Sequence, residues 1–138
     1  MENYMELKIN AIAENEAFVR NTVAAFAAAC DPSVETLGEI KTAVSEAISN
    51  CIVHAYKNMG GEIVVFASLK GNDLHIGISD EGVGIPDIEK ARQAYYTTES
   101  QSERAGIGFT IMEAFMDKLD VVSNEKGGIS VYMDKKLA

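Results

Sequence analysis

The chain has 138 residues, 47% of them hydrophobic and 24% charged, a composition typical of one globular domain and not of a disordered chain. Acidic residues outnumber basic ones 21 to 12, which gives a formal net charge of −9. A surface this acidic repels phosphate backbones, so we expect no direct nucleic-acid contact; a basic or partly basic protein is a better partner, although the charge could equally serve solubility.

The first part of the chain predicts one strand followed by two helices. Met5, Leu7 and Ile9 alternate with polar residues, as in a half-buried strand. Apolar residues then recur at steps of three and four over about 15–30 and again over about 33–57, which predicts two amphipathic helices separated at Asp31-Pro32. The side chains expected on their buried faces are Phe18, Thr22, Val23, Phe26 and Cys30 in the first, and Leu37, Ile40, Val44, Ile48 and Cys51 in the second.

The second part predicts two hairpins separated by a long loop and a helix. The strands are expected at 63–67, 74–78, 119–123 and 129–133. Residues 80–102 predict a loop with a short helix near 88–94, and a helix follows at 108–118. This order favours a single α+β domain over residues 1–138, a two-layer sandwich with a mixed, mostly antiparallel sheet and helices on one face.

Cysteine usage and the N-terminus bear on location. Cys30 and Cys51 each lie among apolar residues, which predicts buried, reduced thiols and a cytoplasmic protein. The first six residues lack the basic and apolar regions of a signal peptide. No apolar run approaches the roughly 20 residues of a membrane-spanning helix, so we expect no membrane partner.

The second predicted helix carries a polar stripe. Glu46, Asn50 and His54 are spaced four residues apart and therefore share one face. An amide oxygen suits Mg²⁺, and a carboxylate one turn away can orient or deprotonate a nucleophile. The same spacing also describes a solvated helix face, and His54 is better explained as a packing or capping residue.

Two glycine-rich segments follow. Asp80 precedes Gly82 and Gly84, two glycines that let the backbone approach a flat ligand closely. The Asp80 carboxylate can accept a hydrogen bond from an exocyclic amine of that ligand. The alternative is a glycine-rich turn capped by the aspartate. Gly106 and Gly108 stand at the expected start of a helix, where free N–H groups and the helix dipole attract anions; a loop before a helix is the alternative. The spacing of this second segment matches neither a P-loop nor a dinucleotide fingerprint.

Together the three segments describe the site of one nucleotide, and their order resembles that of the GHKL ATPases, the superfamily of gyrase, Hsp90, histidine kinases and MutL. Residues 46–56 are similar to its N-box, and residues 80–84 and 106–108 to its two glycine boxes. The amino-acid sequences of residues 46–56, 80–93 and 108–113 resemble those of the anti-sigma factor kinases of sporulating bacteria. This resemblance covers essentially the whole chain.

The resemblance implies a Bergerat-type ATP-binding fold with an ATP lid over about residues 85–106. It implies Glu46 as the general base toward a serine hydroxyl, Asn50 as the Mg²⁺ ligand and Asp80 as the acceptor for the adenine amine. The other residues implied in binding ATP or ADP are Gly82 and Gly84 near the base, Gly106 and Gly108 at the phosphates, Thr97, Thr98, Ser102 and Arg104 in the lid, and Ser130 in the last strand.

The implied activity is ATP-dependent phosphorylation of a serine in an anti-anti-sigma antagonist, combined with sequestration of a sporulation sigma factor by a homodimer. Two alternatives stay open: a non-catalytic module that binds sigma under nucleotide control, and an anti-sigma kinase of the general stress response. The carboxylate of Glu46 favours an enzyme, because a module that only binds does not need it.

The chain departs from the family pattern at several positions. Glu99 stands where lysine is frequent, Ala94 where proline is frequent, and Gly128 is followed by Ile129 where Gly-Thr-Thr is expected. These changes concern the lid and the last strand and leave the central pocket intact. Arg20, the one basic residue of the first predicted helix, is an expected partner contact because arginine often anchors interfaces; a solvated arginine is the alternative.

Overall fold

The structure is a computed structural model that describes residues 2–93 and 100–138, with residues 100–105 described by their backbone alone. The helices and strands follow one another in the predicted order. They are β1 (Glu2–Asn10), α1 (Glu14–Ala27), α2 (Val34–Asn50), β2 (Glu62–Lys70), β3 (Asp73–Asp80), α3 (Ile88–Ala91), α4 (Ser100–Phe115), β4 (Lys118–Ser123) and β5 (Ile129–Lys136). A 3-10 turn, Ala28–Cys30, extends α1, and a π-helical turn, Cys51–Ala55, extends α2.

The strands form one sheet in the order β1-β2-β3-β5-β4. The expectation of a mostly antiparallel sheet is confirmed, and every pair among the described strands is antiparallel. Leu7, Val65, Ile78, Val131 and Val121 pair in one continuous row across the five strands. Apolar alternation sets this register, because a slip of one residue would turn the row away from the core.

Helix α2 lies at the centre of the helical layer, between α1 and α4. Ile40, Val44 and Ile48 are fully buried on the face that the sequence predicted. Val19 and Val23 of α1 and Phe109 and Met112 of α4 join them in the core. This layer of helices packs on one face of the sheet, so the two-layer α+β prediction is confirmed.

The predicted buried face of α1 is wrong by part of a turn. Phe18 was expected inside and is 53% exposed, whereas Val19, Val23 and Ala27 are fully buried. The helix carries alanines on several sides, and alanine is small enough to be buried or exposed. The apolar pattern therefore fixes the helix but leaves its rotation open to an error of one residue.

Helix α2 does not continue as a regular helix to Lys57. The N–H of Tyr56 donates to the carbonyl of Cys51, five residues back, at 3.0 Å, which widens the last turn. Lys57 and Asn58 then adopt left-handed φ angles of 53° and 62°, and the helix ends there.

Helix α4 begins at Ser100, well before the predicted start at Gly108. A Cβ on Gly106 would lie 2.8 Å from the Gln93 carbonyl oxygen, and one on Gly108 would lie 3.2 Å from Glu46 Oε2. Close packing, not a helix end, therefore explains both glycines. The expected helix start is therefore wrong, and the N–H groups of both glycines lie inside the helix; the phosphate contacts of Gly106 and Gly108 stay a prediction.

The face of the sheet away from the helices carries a cluster of aromatic rings. The ring centroids of Phe66 and His75 are 6.4 Å apart, and His75 stacks on Tyr132 at 5.9 Å. His75 Nδ1 also lies 2.6 Å from Asp134 Oδ1. Tyr132 is 38% exposed, so this face presents aromatic surface to solvent. None of the described helices is long and apolar enough to cross a membrane.

Candidate functional site

The end of α2, the loop after β3, helix α4 and the start of β5 enclose an apolar cavity of about 40 Å³. Asn50, Asp80 and Gly84 line it, so two of the three predicted segments meet here, and Phe109 and Ile129 complete the wall. An apolar cavity with a few polar groups is typical of a site for a flat organic ligand. This volume suits about three water molecules.

Asp80 ends β3 with only 5% of its surface exposed. Its Oδ1 accepts from the N–H of Gly82 at 2.9 Å and from the N–H of Ile129 at 3.2 Å. The buried thiol of Cys51 lies beside the same carboxylate; burial first, and then the charge of Asp80 and hydrogen bonding to it, raise the pKa of that thiol well above its usual range. These donors fix the carboxylate and leave further lone pairs for a ligand.

Gly82 and Gly84 hold the loop after β3 against its neighbours. A Cβ on Gly82 would lie 2.4 Å from the Ala55 carbonyl oxygen, the atom that also accepts from the N–H of Val83. Gly84 has a φ of +74°, and a Cβ there would lie 2.7 Å from the Gly127 carbonyl oxygen. Both positions need glycine because backbone meets backbone, a reason that holds with or without a ligand.

Glu46 and Asn50 lie one turn apart on α2, at a polar depression beside the cavity. Asn50 Nδ2 is buried and has no hydrogen-bond partner among the described atoms, a costly state that a ligand acceptor would relieve. A Cβ on Gly108 would lie within 3.4 Å of both side chains, so α4 packs directly against them. This pair fits phosphate and Mg²⁺, since Mg²⁺ needs few protein ligands when phosphates supply the others.

No group of three or more His, Cys, Asp or Glu side chains in the described part of the chain could hold a metal ion unaided. A magnesium ion at Asn50 would therefore need further ligands, such as phosphate oxygens, beyond a cluster of these side chains in the described ranges.

Burial raises the pKa of Glu46, and the negative charge of Glu16 on α1 raises it further. Arg20 Nη1 lies 3.2 Å from both carboxylate oxygens of Glu16 and 3.4 Å from Ser45 Oγ. The guanidinium therefore joins α1 to α2 beside Glu46. Its side chain is 36% exposed, which leaves it accessible to a partner.

Ser130 does not line the cavity. Its neighbours Ile129 and Val131 do, and strand alternation turns Ser130 to the opposite face. Ser130 Oγ lies 2.8 Å from Ser79 Oγ and 3.2 Å from Asn124 Nδ2. Any support that Ser130 gives to a base is therefore indirect.

The predicted lid residues are placed as follows. Thr97 and Thr98 lie outside the described residues, as do Ala94 and Glu99. Ser102 and Arg104 belong to the first turns of α4, where the structure describes the backbone alone.

Sequence reasoning missed three residues that shape this site: Cys51, Tyr56 and Asn124. Tyr56 Oη donates to the Glu62 carbonyl at 2.5 Å and accepts from the N–H of Glu81 at 2.7 Å, which ties the end of α2 to the end of β3. Cys51 was predicted only as a buried residue of the second helix, and Tyr56 lies in the motif at 46–56 without a distinctive role. Asn124 lies outside the three motifs, and its link to the Asp80 carbonyl, 44 residues away, leaves no periodic signal.

Comparison with known proteins adds independent findings. Residues 9–135 match the family described as histidine kinase-like ATPase domain. An anti-sigma F factor of Clostridium acetobutylicum is 47% identical over 138 residues, which cover 100% of this chain and 96% of the relative. An anti-sigma F factor of Thermoanaerobacter sp. (strain X514) is 51% identical over 133 residues, which cover 96% of this chain and 93% of the relative.

A solved structure shares the fold. The crystal structure of the RsbU and RsbW domains of a Mycobacterium tuberculosis protein matches 98% of this chain with a TM-score of 0.70. The sequence identity is 19%, and the match spans 32% of that longer chain, so the likeness concerns the fold alone.

Proposed function

The chain belongs to the anti-sigma F factor family of histidine kinase-like ATPase domains, and from this premise we propose that it is an anti-sigma factor and an ATP-dependent protein-serine kinase. It acts in the cytoplasm as a homodimer that sequesters a sporulation sigma factor. Its kinase activity phosphorylates a serine of the anti-anti-sigma antagonist. Family membership supports the use of ATP and a sigma partner; the phosphotransfer step is supported by the chemistry of Glu46 and Asn50.

The nucleotide occupies the cavity and the adjoining polar depression. Asp80 accepts from the adenine amine, and Asn50 ligates Mg²⁺, which when bound neutralises charge on the phosphates. Because α4 packs against Glu46 and Asn50 at Gly108, this contact opens as the phosphates enter. The residues assigned to the remaining contacts are Gly82 and Gly84 at the base, Gly106 and Gly108 at the phosphates, and Thr97, Thr98, Ser102 and Arg104 in a lid over about 85–106.

Glu46 is the general base of the transfer. The serine oxygen of the partner bonds to the γ-phosphorus while the bond to the β–γ bridging oxygen breaks and leaves ADP; the hydroxyl proton passes to Glu46. The raised pKa of Glu46 suits this role, because a carboxylate with a higher proton affinity is a stronger base.

The observation that carries this proposal is the half-buried Glu46 one turn from the unsatisfied amide of Asn50, beside the Asp80 cavity. Glu46→Gln preserves size and removes the base. We expect unchanged ATP and ADP affinity by calorimetry, and phosphotransfer from radiolabelled ATP to the purified antagonist reduced by about 10²–10⁴-fold. Glu35→Gln, in the exposed first turn of α2, is the matched control and should transfer phosphate normally.

Full phosphotransfer by Glu46→Gln would refute Glu46 as the base. A wild-type protein that captures sigma only with ATP, yet never phosphorylates the antagonist, would instead establish the non-catalytic module.

Arg20 is assigned to partner contact, since its guanidinium is part-exposed and lies beside the proposed base. Wild-type protein with Mg·ATP should retain a sporulation sigma factor from lysate, and Arg20→Ala should retain less. Identification of a stress-response sigma factor as the bound protein would favour that alternative over the sporulation assignment.

A further inference from the structure

The turn between β4 and β5 lies directly against the end of β3. Asn124 Nδ2 donates to the Asp80 carbonyl oxygen at 2.9 Å and to Ser130 Oγ at 3.2 Å. Asn124 Oδ1 accepts from the N–H groups of Lys126 and Gly128, both at 3.1 Å. One side chain therefore closes the turn and joins it to the residue that carries the buried carboxylate.

The path of this turn fixes the position of one N–H group that donates a hydrogen bond to the Asp80 carboxylate. The N–H of Ile129, directly after the turn, donates to Asp80 Oδ1 at 3.2 Å. A Cβ on Gly128 would lie 2.1 Å from the Asp80 carbonyl oxygen and 2.6 Å from its Oδ1, so the turn and the carboxylate are in close contact. A turn released from Asn124 would move the N–H of Ile129 and free the carboxylate to rotate.

We propose that Asn124 is a positioning residue for base recognition: it holds the Asp80 carboxylate in the orientation that accepts a hydrogen bond from the amino group of adenine. The inference rests on the proposed function, in which Asp80 meets the adenine amine. Asn124 itself faces away from the cavity and acts through Asp80 and the N–H of Ile129. It therefore governs the preference for adenine over a purine with a carbonyl at that position, and leaves the phosphate contacts unaffected.

The test compares ADP with IDP, which carries a carbonyl in place of the adenine amine. The affinity of each for the full chain is measured by calorimetry with Mg²⁺. Asn124→Ala should weaken the affinity for ADP by about tenfold, as expected when one hydrogen bond to a charged group is no longer positioned. It should leave the affinity for IDP nearly unchanged. The ADP-to-IDP affinity ratio therefore shrinks.

Asn124→Asp keeps oxygens for the N–H groups of Lys126 and Gly128 but cannot donate to the Asp80 carbonyl. It should lower the same ratio, and it decides the question if Asn124→Ala fails to fold. Glu125→Ala, in the exposed part of the same turn, is the matched control and should bind as the wild type does. In an Asp80→Ala background, Asn124→Ala should have no further effect on ADP affinity.

A wild-type ADP-to-IDP ratio in a folded Asn124 variant would overturn the inference and leave the proposed function intact. Equal losses for the two nucleotides would also overturn it, since they indicate general destabilisation. A wild-type protein that binds neither ATP nor ADP would overturn the proposed function as well.

Discussion

Charged residues on α1 tune the proposed base on α2. Burial raises the pKa of Glu46, and the negative charge of Glu16 adds to the effect, while Arg20 partly neutralises Glu16. Glu46 must be ionised to accept a proton, so the rate of phosphotransfer should fall as the pH is lowered. Because the pKa of Glu46 is raised, this fall should begin at a higher pH than it would with an ordinary glutamate. The acid limb of the pH–rate profile thus reports the combined effect of burial, Glu16 and Arg20 on the pKa of Glu46.

Glu16→Gln should move that acid limb to lower pH. The substitution removes the negative charge that raises the pKa of Glu46, and it leaves Arg20 unneutralised, which lowers the pKa in the same direction. The measurement is kcat/KM for phosphotransfer against pH. Glu14→Gln, an exposed residue of the same helix, should leave the profile in place; a shift to higher pH in Glu16→Gln would contradict the assignment.

The two cysteines should differ in reactivity. Burial and the adjacent Asp80 raise the pKa of the Cys51 thiol, so little thiolate is present at neutral pH, whereas Cys30 is partly exposed. A thiol-specific colorimetric reagent should modify Cys30 quickly and Cys51 slowly, and denaturant should make both fast. Rapid modification of a folded Cys30→Ala variant would show that Cys51 is accessible.

At the scale of single residues, sequence identified those whose own chemistry is distinctive. Glu46, Asn50 and Asp80 were predicted because a carboxylate or amide in a motif suggests a role, and the structure places them around one cavity and its adjoining depression. Asn124 and Tyr56 could not be predicted in the same way. The partners that join them to the site, the Asp80 carbonyl and the N–H of Glu81, are backbone groups remote in sequence, which become neighbours only when the sheet has formed.

Two of the glycines inside helices, Gly38 and Gly108, should respond differently to alanine. Gly38 of α2 is exposed, and a Cβ there meets nothing within 4 Å, so Gly38→Ala should stabilise the protein by about 0.5–1 kcal/mol. Alanine at position 108 of α4 would gain the same helix propensity, but its Cβ would lie 3.2–3.4 Å from side-chain atoms of Glu46 and Asn50. Gly108→Ala should therefore gain less stability and bind ADP more weakly.

Thermal unfolding with and without ADP measures both effects. Gly38→Ala is the control for the general benefit of alanine in a helix. An equal rise in Tm for the two variants, with unchanged ADP binding, would mean that the contact between α4 and α2 is not tight.

At the scale of elements, the order of strands and helices followed from apolar periodicity, and the start of α4 did not. Glycines at 106 and 108 suggested a helix boundary, because glycine is unfavourable inside helices. In the structure both lie within α4, which approaches Gln93 and Glu46 too closely for a larger side chain. Tertiary packing therefore overrides local propensity at this point, and that packing cannot be derived from local sequence.

At the scale of the whole molecule, the open sheet face is a candidate surface for the proposed homodimer. It exposes Tyr132 beside the rings of His75 and Phe66, and Tyr4 of β1 is 75% exposed. Aromatic residues are enriched at the centres of protein interfaces. Tyr132→Glu should therefore shift the protein toward monomer in sedimentation velocity.

Met59→Lys is the control for that experiment. Met59 is 85% exposed in the turn after α2, so its replacement removes apolar surface elsewhere. Its sedimentation should match that of the wild type. A folded Tyr132→Glu variant that remains dimeric would place the interface on another surface.

The widened turn at the end of α2 has a consequence for how the chain tolerates changes in length. Deleting one residue within Cys51–Ala55 would restore regular helical hydrogen bonding and so looks harmless locally. The N–H of Tyr56 would then donate to the same Cys51 carbonyl across four residues, so Tyr56 would keep its place and only the side chains between the two would be repositioned. The widened turn thus accommodates one extra residue between α2 and Tyr56, and a chain shortened by that residue should keep both its helix and the contacts of Tyr56 with Glu62 and Glu81.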